Sequence, residues 1–84
     1  MSRTLTLFEE EGWSSYEEYG WVKVFTDEVG NFYALEYNYS VMAYDNSEPE
    51  DDEAWLVTPD EALELLLEYY EAGEEYSEMM SGGF

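Results

Sequence analysis

Histidine and cysteine are absent from the 84 residues, and Arg3 and Lys23 are the only strong bases. Without cysteine there is no disulfide and no thiol chemistry, so the chain suits a reducing cytoplasm. Without histidine the usual proton shuttle near neutral pH is missing. One lysine and one arginine leave little to bind a phosphate or stabilise an oxyanion, and the six glycines are scattered rather than gathered into a phosphate loop. No stretch approaches the ~18 apolar residues of a membrane span. The opening "MSRTLTLFEEEGW" holds one short apolar run and then three glutamates, which is no secretory signal. Anionic membranes, and nucleic acid more strongly, should repel the chain.

What the sequence does contain is acid and aromatic surface. It carries 22 carboxylates, 17 Glu and 5 Asp, for a net charge of −20. Yet 45% of residues are apolar and 19% aromatic, too much for a disordered acidic tail. The reading is a single domain over residues 1–84, one small core that folds against its own repulsion.

The pattern along the chain predicts an α+β fold. "RTLTLFEE" alternates Leu5 and Leu7 with Thr4 and Thr6, as a first strand does. In "SSYEEYG", Ser14 and Ser15 stand three residues before Glu17 and Glu18, a capping-box spacing that predicts a helical turn ending at Gly20. "WVKVFT", the turn signal "DEVGN" and "FYALEYNYSVMAY" predict a hairpin. In its second strand Tyr33, Leu35, Tyr37, Tyr39 and Val41 share one face, and Ala34, Glu36, Asn38 and Ser40 the other. "DNSEPEDDE", 45–53, is a surface loop, and "AWLV" a short buried strand. Thr58 caps a long helix with Pro59 at its first position and Glu61 completing the capping box. Ala62, Leu63, Leu66, Tyr69, Tyr70 and Tyr76 form its packing face; Gly73 ends or weakens it, and 79–84 fray. The sum is a small antiparallel sheet of three or four strands with one principal C-terminal helix.

The helix opposes that apolar face with an acidic one. At 100° per residue, Asp60, Glu64, Glu68, Glu71, Glu75 and Glu78 fall within an arc of about 80°. Like charges at i,i+4 cost roughly 0.2–0.5 kcal/mol per pair, so the stripe costs about 1–2.5 kcal/mol at low salt. A small domain has only about 5 kcal/mol of net stability, so this penalty needs a use. Further acids, Glu50, Asp51 and Asp52 in the loop and Glu17 and Glu18 near the N-terminal turn, extend the candidate partner-binding surface.

Catalysis finds no support. Carboxylate pairs can do acid–base work, but 22 acids in so short a chain place pairs everywhere, so no pair stands out. The 45–53 loop offers oxygen ligands, but Pro49 and Glu50 fall where a calcium-binding helix–loop–helix needs an Asp and a Gly. No catalytic residue, metal site or cofactor is assigned. Of the nine tyrosines, Tyr33, Tyr37, Tyr69 and Tyr70 are expected to pack, while some of Tyr16, Tyr19, Tyr39, Tyr44 and Tyr76 are expected to lie exposed among carboxylates.

In composition, small, strongly acidic, aromatic-rich and nearly free of Lys and Arg, the whole chain resembles the DNA-mimic inhibitors of phages and mobile elements. These include anti-CRISPR proteins, antirestriction proteins and uracil-DNA glycosylase inhibitors. The resemblance rests on no shared motif. It implies a non-enzymatic blocker, in the cytoplasm of a bacterial host cell, of a basic DNA-binding protein or complex: a CRISPR effector, a restriction enzyme or a repair enzyme. Within that class an anti-CRISPR protein is the leading expectation. Two other readings stand beside it. One is an acidic module binding a basic protein unrelated to nucleic acid; the other is adaptation to high salt, which the excess of Glu over Asp and the bulky aromatics oppose.

Overall fold

The computed structural model describes residues 4–81, and side chains up to residue 75. Three nine-residue strands, β1 (Thr6–Ser14), β2 (Glu18–Thr26) and β3 (Phe32–Ser40), are followed by a 3₁₀ turn at Asp51–Glu53. A three-residue strand β4 (Trp55–Val57) and the helix α1 (Pro59–Ser81) complete the chain. The strands form one antiparallel sheet in the order β1-β2-β3-β4, so the fold is α+β.

The β2–β3 hairpin forms where the alternation predicts it, but β3 ends at Ser40, so Val41 to Tyr44 lie outside the strand. Its turn is organised by Asp27, whose Oδ1 accepts the backbone N–H groups of Val29 (3.0 Å) and Asn31 (2.9 Å). Its Oδ2 accepts from the Asn31 amide (3.1 Å) and the Tyr33 hydroxyl (3.0 Å). Gly30 takes φ +91°, a conformation that L side chains resist. The predicted helical turn at 14–20 does not form. Ser15 closes a tight hairpin instead, donating its backbone N–H (2.8 Å) and its hydroxyl (3.2 Å) to the Glu18 carbonyl. Glu18, Tyr19 and Gly20 then pair with Ser40, Tyr39 and Asn38, and the Tyr19 and Tyr39 rings stack at 4.8 Å. Cross-strand pairing outweighs the local helix signal. The only short helical turn among the described residues is the 3₁₀ turn at mid-chain, where Glu50 and Glu53 form the capping box.

The sheet has two unlike faces. Val22, Val24 and Ala34 lie under the helix and pack with Val57, Ala62, Leu66 and Tyr69. Phe25, Leu35 and Ala54 form a second cluster with Leu5, Trp21 and Tyr33 on the opposite face. There the segment after β3 is tied down. Asn46 exchanges hydrogen bonds with the Ser40 backbone (2.9 and 3.2 Å), and its own carbonyl accepts the Tyr37 hydroxyl. The helix therefore covers the face with small residues, and the chain after β3 follows the face of large aromatics.

The helix starts as its capping box dictates: Glu61 N–H donates to Thr58 Oγ1 (3.1 Å) and Thr58 N–H to Glu61 Oε1 (3.3 Å). Gly73 does not end it. It sits where the helix backbone meets β1, so close that a Cβ there would lie 2.7 Å from the Gly12 carbonyl oxygen. Two residues expected to pack inward do not: Leu63 and Tyr70 are exposed. The helix is seated on Ala62, Leu66, Tyr69 and Gly73, which turns Leu63 and Tyr70 to its flank. Strand β4 is likewise an edge strand with only Val57 buried; Trp55 and Leu56 are exposed.

Two outcomes test this description. Gly73→Ala gains about 0.8–1 kcal/mol of helix propensity. The clash with Gly12 should exceed that gain, for a net loss on the order of 1 kcal/mol, or about 4–8 °C in Tm. A melting temperature equal to or above the parent's would refute the close docking. The Asn31 backbone N–H, aided by the other donors to Asp27, holds that carboxyl below the usual carboxylate range despite partial desolvation. A depressed folded-state value means stability that is present above the unfolded value of 3.8 and lost as pH falls through the folded one. The Tm difference between parent and Asp27→Ala should therefore be full at neutral pH and close below pH 3.8, as followed by thermal melts across that range.

Candidate functional site

With Ala62, Leu66 and Tyr69 buried against the sheet, the opposite arc of α1 faces solvent. Asp60, Glu64, Glu68, Glu71 and Glu75 are all exposed along it. The backbone of Glu78 continues the helix, but its side chain lies outside the described residues, as does that of Tyr76. Successive carboxylates stand ~4.5–6 Å apart along the axis, against one phosphate per ~3.4 Å of axis on each DNA strand.

No described cation reaches this face. Lys23 lies on the opposite side of the sheet, alternating with Val22 and Val24, with its Nζ 4.6 Å from the centre of the Trp21 ring. Nor does the last turn of α1 carry a basic residue to meet the negative end of the helix dipole.

The stripe borders a groove that the sequence did not reveal. Between α1 and the β3–β4 side of the sheet lie two adjoining clefts of about 270 and 350 Å³, both lined by Glu36 and Glu68. One adds Trp55, Val57, Glu61, Glu64 and Leu65; the other adds Trp13, Asn38, Tyr69 and Ala72. Glu36 is held on the groove floor by the Tyr69 hydroxyl, which donates to its Oε2 (2.8 Å). The Asn38 amide donates to the same hydroxyl at 3.4 Å. Burial first, and then the bond to the Glu36 carboxylate, pushes the Tyr69 phenol up to about 12. Tyr69 thus stays protonated as the donor to Glu36. Alternation placed Glu36 on the less bulky face of β3, but only the helix position shows that this face borders a groove.

The remaining predicted residues are placed as follows. Glu17 occupies the corner of the β1–β2 hairpin and Glu18 the start of β2, both exposed, at the sheet end where α1 crosses Gly12 and Trp13. Glu50 caps the 3₁₀ turn that contains Asp51 and Asp52, all exposed; the turn leads into Ala54, which packs on the face away from the helix. The loop acids therefore do not join the helix stripe. Among the tyrosines, Tyr37 and Tyr69 are buried and Tyr33 partly so, while Tyr16, Tyr19 and Tyr44 are exposed; Tyr39, a candidate for exposure, is half-buried, its ring stacked on Tyr19.

Chemically, the stripe and groove are rows of carboxylate acceptors, suited to ammonium and guanidinium groups. Among the described residues no three or more acidic side chains converge to hold a metal ion, and no helix is long and apolar enough to cross a membrane. Comparison of the chain with protein-family models, with curated proteins and with solved structures gives no match.

Replacing Glu64, Glu68 and Glu71 with Gln keeps size and helix propensity nearly constant while removing like-charge neighbours. The variant should melt no lower than the parent at low salt. Its Tm should also rise less than the parent's between low salt and about 0.5 M NaCl, because less repulsion remains to be screened. A variant that melts well below the parent would show that these carboxylates stabilise the free fold.

Proposed function

We propose that the chain is a non-enzymatic inhibitor that presents the charge pattern of DNA and blocks the DNA-binding surface of a bacterial defence complex, with an anti-CRISPR role as the leading form. The observation that carries this reading is the line of five exposed carboxylates on the outward face of a docked helix, with the only described cation on the far side of the sheet. DNA-binding proteins meet phosphate arrays with Lys and Arg grooves. A carboxylate line carried on a docked helix can occupy such a groove. Binding also relieves repulsion among the carboxylates, so a penalty in the free protein becomes affinity in the complex. The partner is then a basic DNA-binding protein or complex, the site of action is the cytoplasm of a bacterial host, and neither cofactor nor turnover is needed.

The test is titration of the protein into purified CRISPR effectors, restriction enzymes and DNA-repair enzymes during DNA cleavage. Inhibition should saturate at equivalence, and excess target DNA should compete. Glu64, Glu68 and Glu71 changed together to Gln should weaken inhibition by ~1 kcal/mol or more per well-paired charge, largely through slower association. Amides at Glu48, Glu50 and Asp51 serve as the control and should have a smaller effect, because those acids lie away from the stripe. Inhibition far below equivalence would mean turnover and overturn the occupancy mechanism. Full activity of the helix variant with loss in the loop variant would move the surface elsewhere.

A further inference from the structure

Beside the acidic stripe, on the flank of α1 above β1, lies an apolar strip that the core does not use. Leu63 is 62%, Leu67 56% and Tyr70 47% exposed. Their spacing, i, i+4 and i+7, is that of side chains a helix presents to a partner's groove. Phe8 adds to the same side. The β1–β2 register slips between Leu7 and Glu9, and Phe8 meets Phe32 edge-on at 5.4 Å while remaining 56% exposed. Phe32 in turn packs against the cluster under the helix, which places both rings on that face.

The rims of the strip are acidic. Glu64 and Glu71 follow Leu63 and Tyr70 on the stripe side. Glu74, one turn beyond Tyr70, and Glu11 of β1 on the other side both lie close enough to push the Tyr70 phenol up. A second copy of this chain is a poor occupant: it would bring another set of carboxylates, and another net charge of −20, against the first. We propose that Leu63, Leu67, Tyr70 and Phe8 form a docking strip for a cationic amphipathic segment of the target protein, whose apolar side covers the strip and whose Lys or Arg side chains meet the glutamates on both rims. This rests on the reading of the protein as a binder of a basic partner, and it adds apolar anchoring to a recognition otherwise based on charge. Charge alone would draw the inhibitor to any cationic surface; a buried leucine anchor discriminates among them.

The probe is a synthetic helical peptide with leucine along one face and lysine on the others. A control peptide has serine in place of leucine at the same net charge. Each is titrated into the intact protein at about 0.15 M salt, with affinity read by calorimetry and the contact surface by amide chemical shifts. The leucine peptide should bind about tenfold or more tightly than the serine peptide. The largest shifts should fall at Phe8, Leu63, Leu67 and Tyr70. The pair Leu63→Ala and Leu67→Ala, which keeps helix propensity and removes only exposed groups, should abolish that preference; Leu56→Ala, an exposed apolar residue on β4, should leave it unchanged. Equal affinity for the two peptides, shifts centred on Trp55 and Leu56, or an unchanged preference in the leucine pair would overturn the proposal. So would a dimer in sedimentation that the leucine pair dissolves, since the strip would then belong to a second copy. The arms separate the two readings. If the Glu64, Glu68 and Glu71 variant loses both peptides while the leucine pair loses neither, the strip fails and charge recognition survives. If the glutamate variant also loses neither, both fail.

Discussion

The backbone of α1 comes to rest on the backbone of β1 at Gly73 and Gly12, and this contact fixes the rotation of the helix about its own axis. No side chain stands between the two elements there. The inward line is consequently Ala62, Leu66, Tyr69 and Gly73, spaced four, three and four residues apart. Rotation by one further residue would bury Leu63 and Tyr70 and swing the carboxylates toward the edge of the sheet. As it stands, a single docking decision sends the stripe outward, the leucines sideways and Tyr69 down onto Glu36. The small residues of the covered face, Val22, Val24 and Ala34, let the helix approach. Phe32, at the start of β3, packs at the margin of that cluster, while Trp21, Phe25 and Tyr33 lie on the opposite face.

A chain with 22 acids and two bases cannot stabilise itself through a network of ion pairs. Cohesion comes from two small apolar clusters on either side of one sheet and from hydrogen bonds that use acids as acceptors near the backbone. Asp27 gathers donors from its own turn, Asp45 accepts the backbone N–H (2.9 Å) and hydroxyl (2.6 Å) of Ser47, and Glu61 closes the helix cap. These acids serve the fold. Those of the stripe have no such partner among the described contacts and are available to another molecule. The same residue type is thus divided between structural and outward-facing work by local geometry alone.

Much of the fold was legible because it rests on local rules. The capping box at Thr58 and Glu61, the turn at Asp27–Asn31 and the alternation across the hairpin each depend on residues within a few positions of one another. What was not legible depended on distant partners. Ser15 and Glu18 satisfy a helix signal and a hairpin equally well until Tyr39 and Asn38 supply cross-strand partners. The predicted third strand runs past its true end because the sequence does not show that Asn46 turns back to satisfy Ser40. The helical wheel found the acidic stripe, a property of one element. It drew the packing face too wide, because the width of a buried face is set by what lies across from it. The groove around Glu36 was invisible for the same reason.

Lys23 holds the only side-chain amine in the sequence, and its ammonium group lies against Trp21 on the side of the sheet away from the helix. Chemistry that targets lysine side chains, whether acetylation, ubiquitin attachment or amine cross-linking, is therefore directed to that far face. The stripe, the groove and the leucine strip offer such reagents nothing to react with. A complex formed through α1 would be invisible to lysine-directed cross-linking on this protein's side and would have to be trapped through its carboxylates.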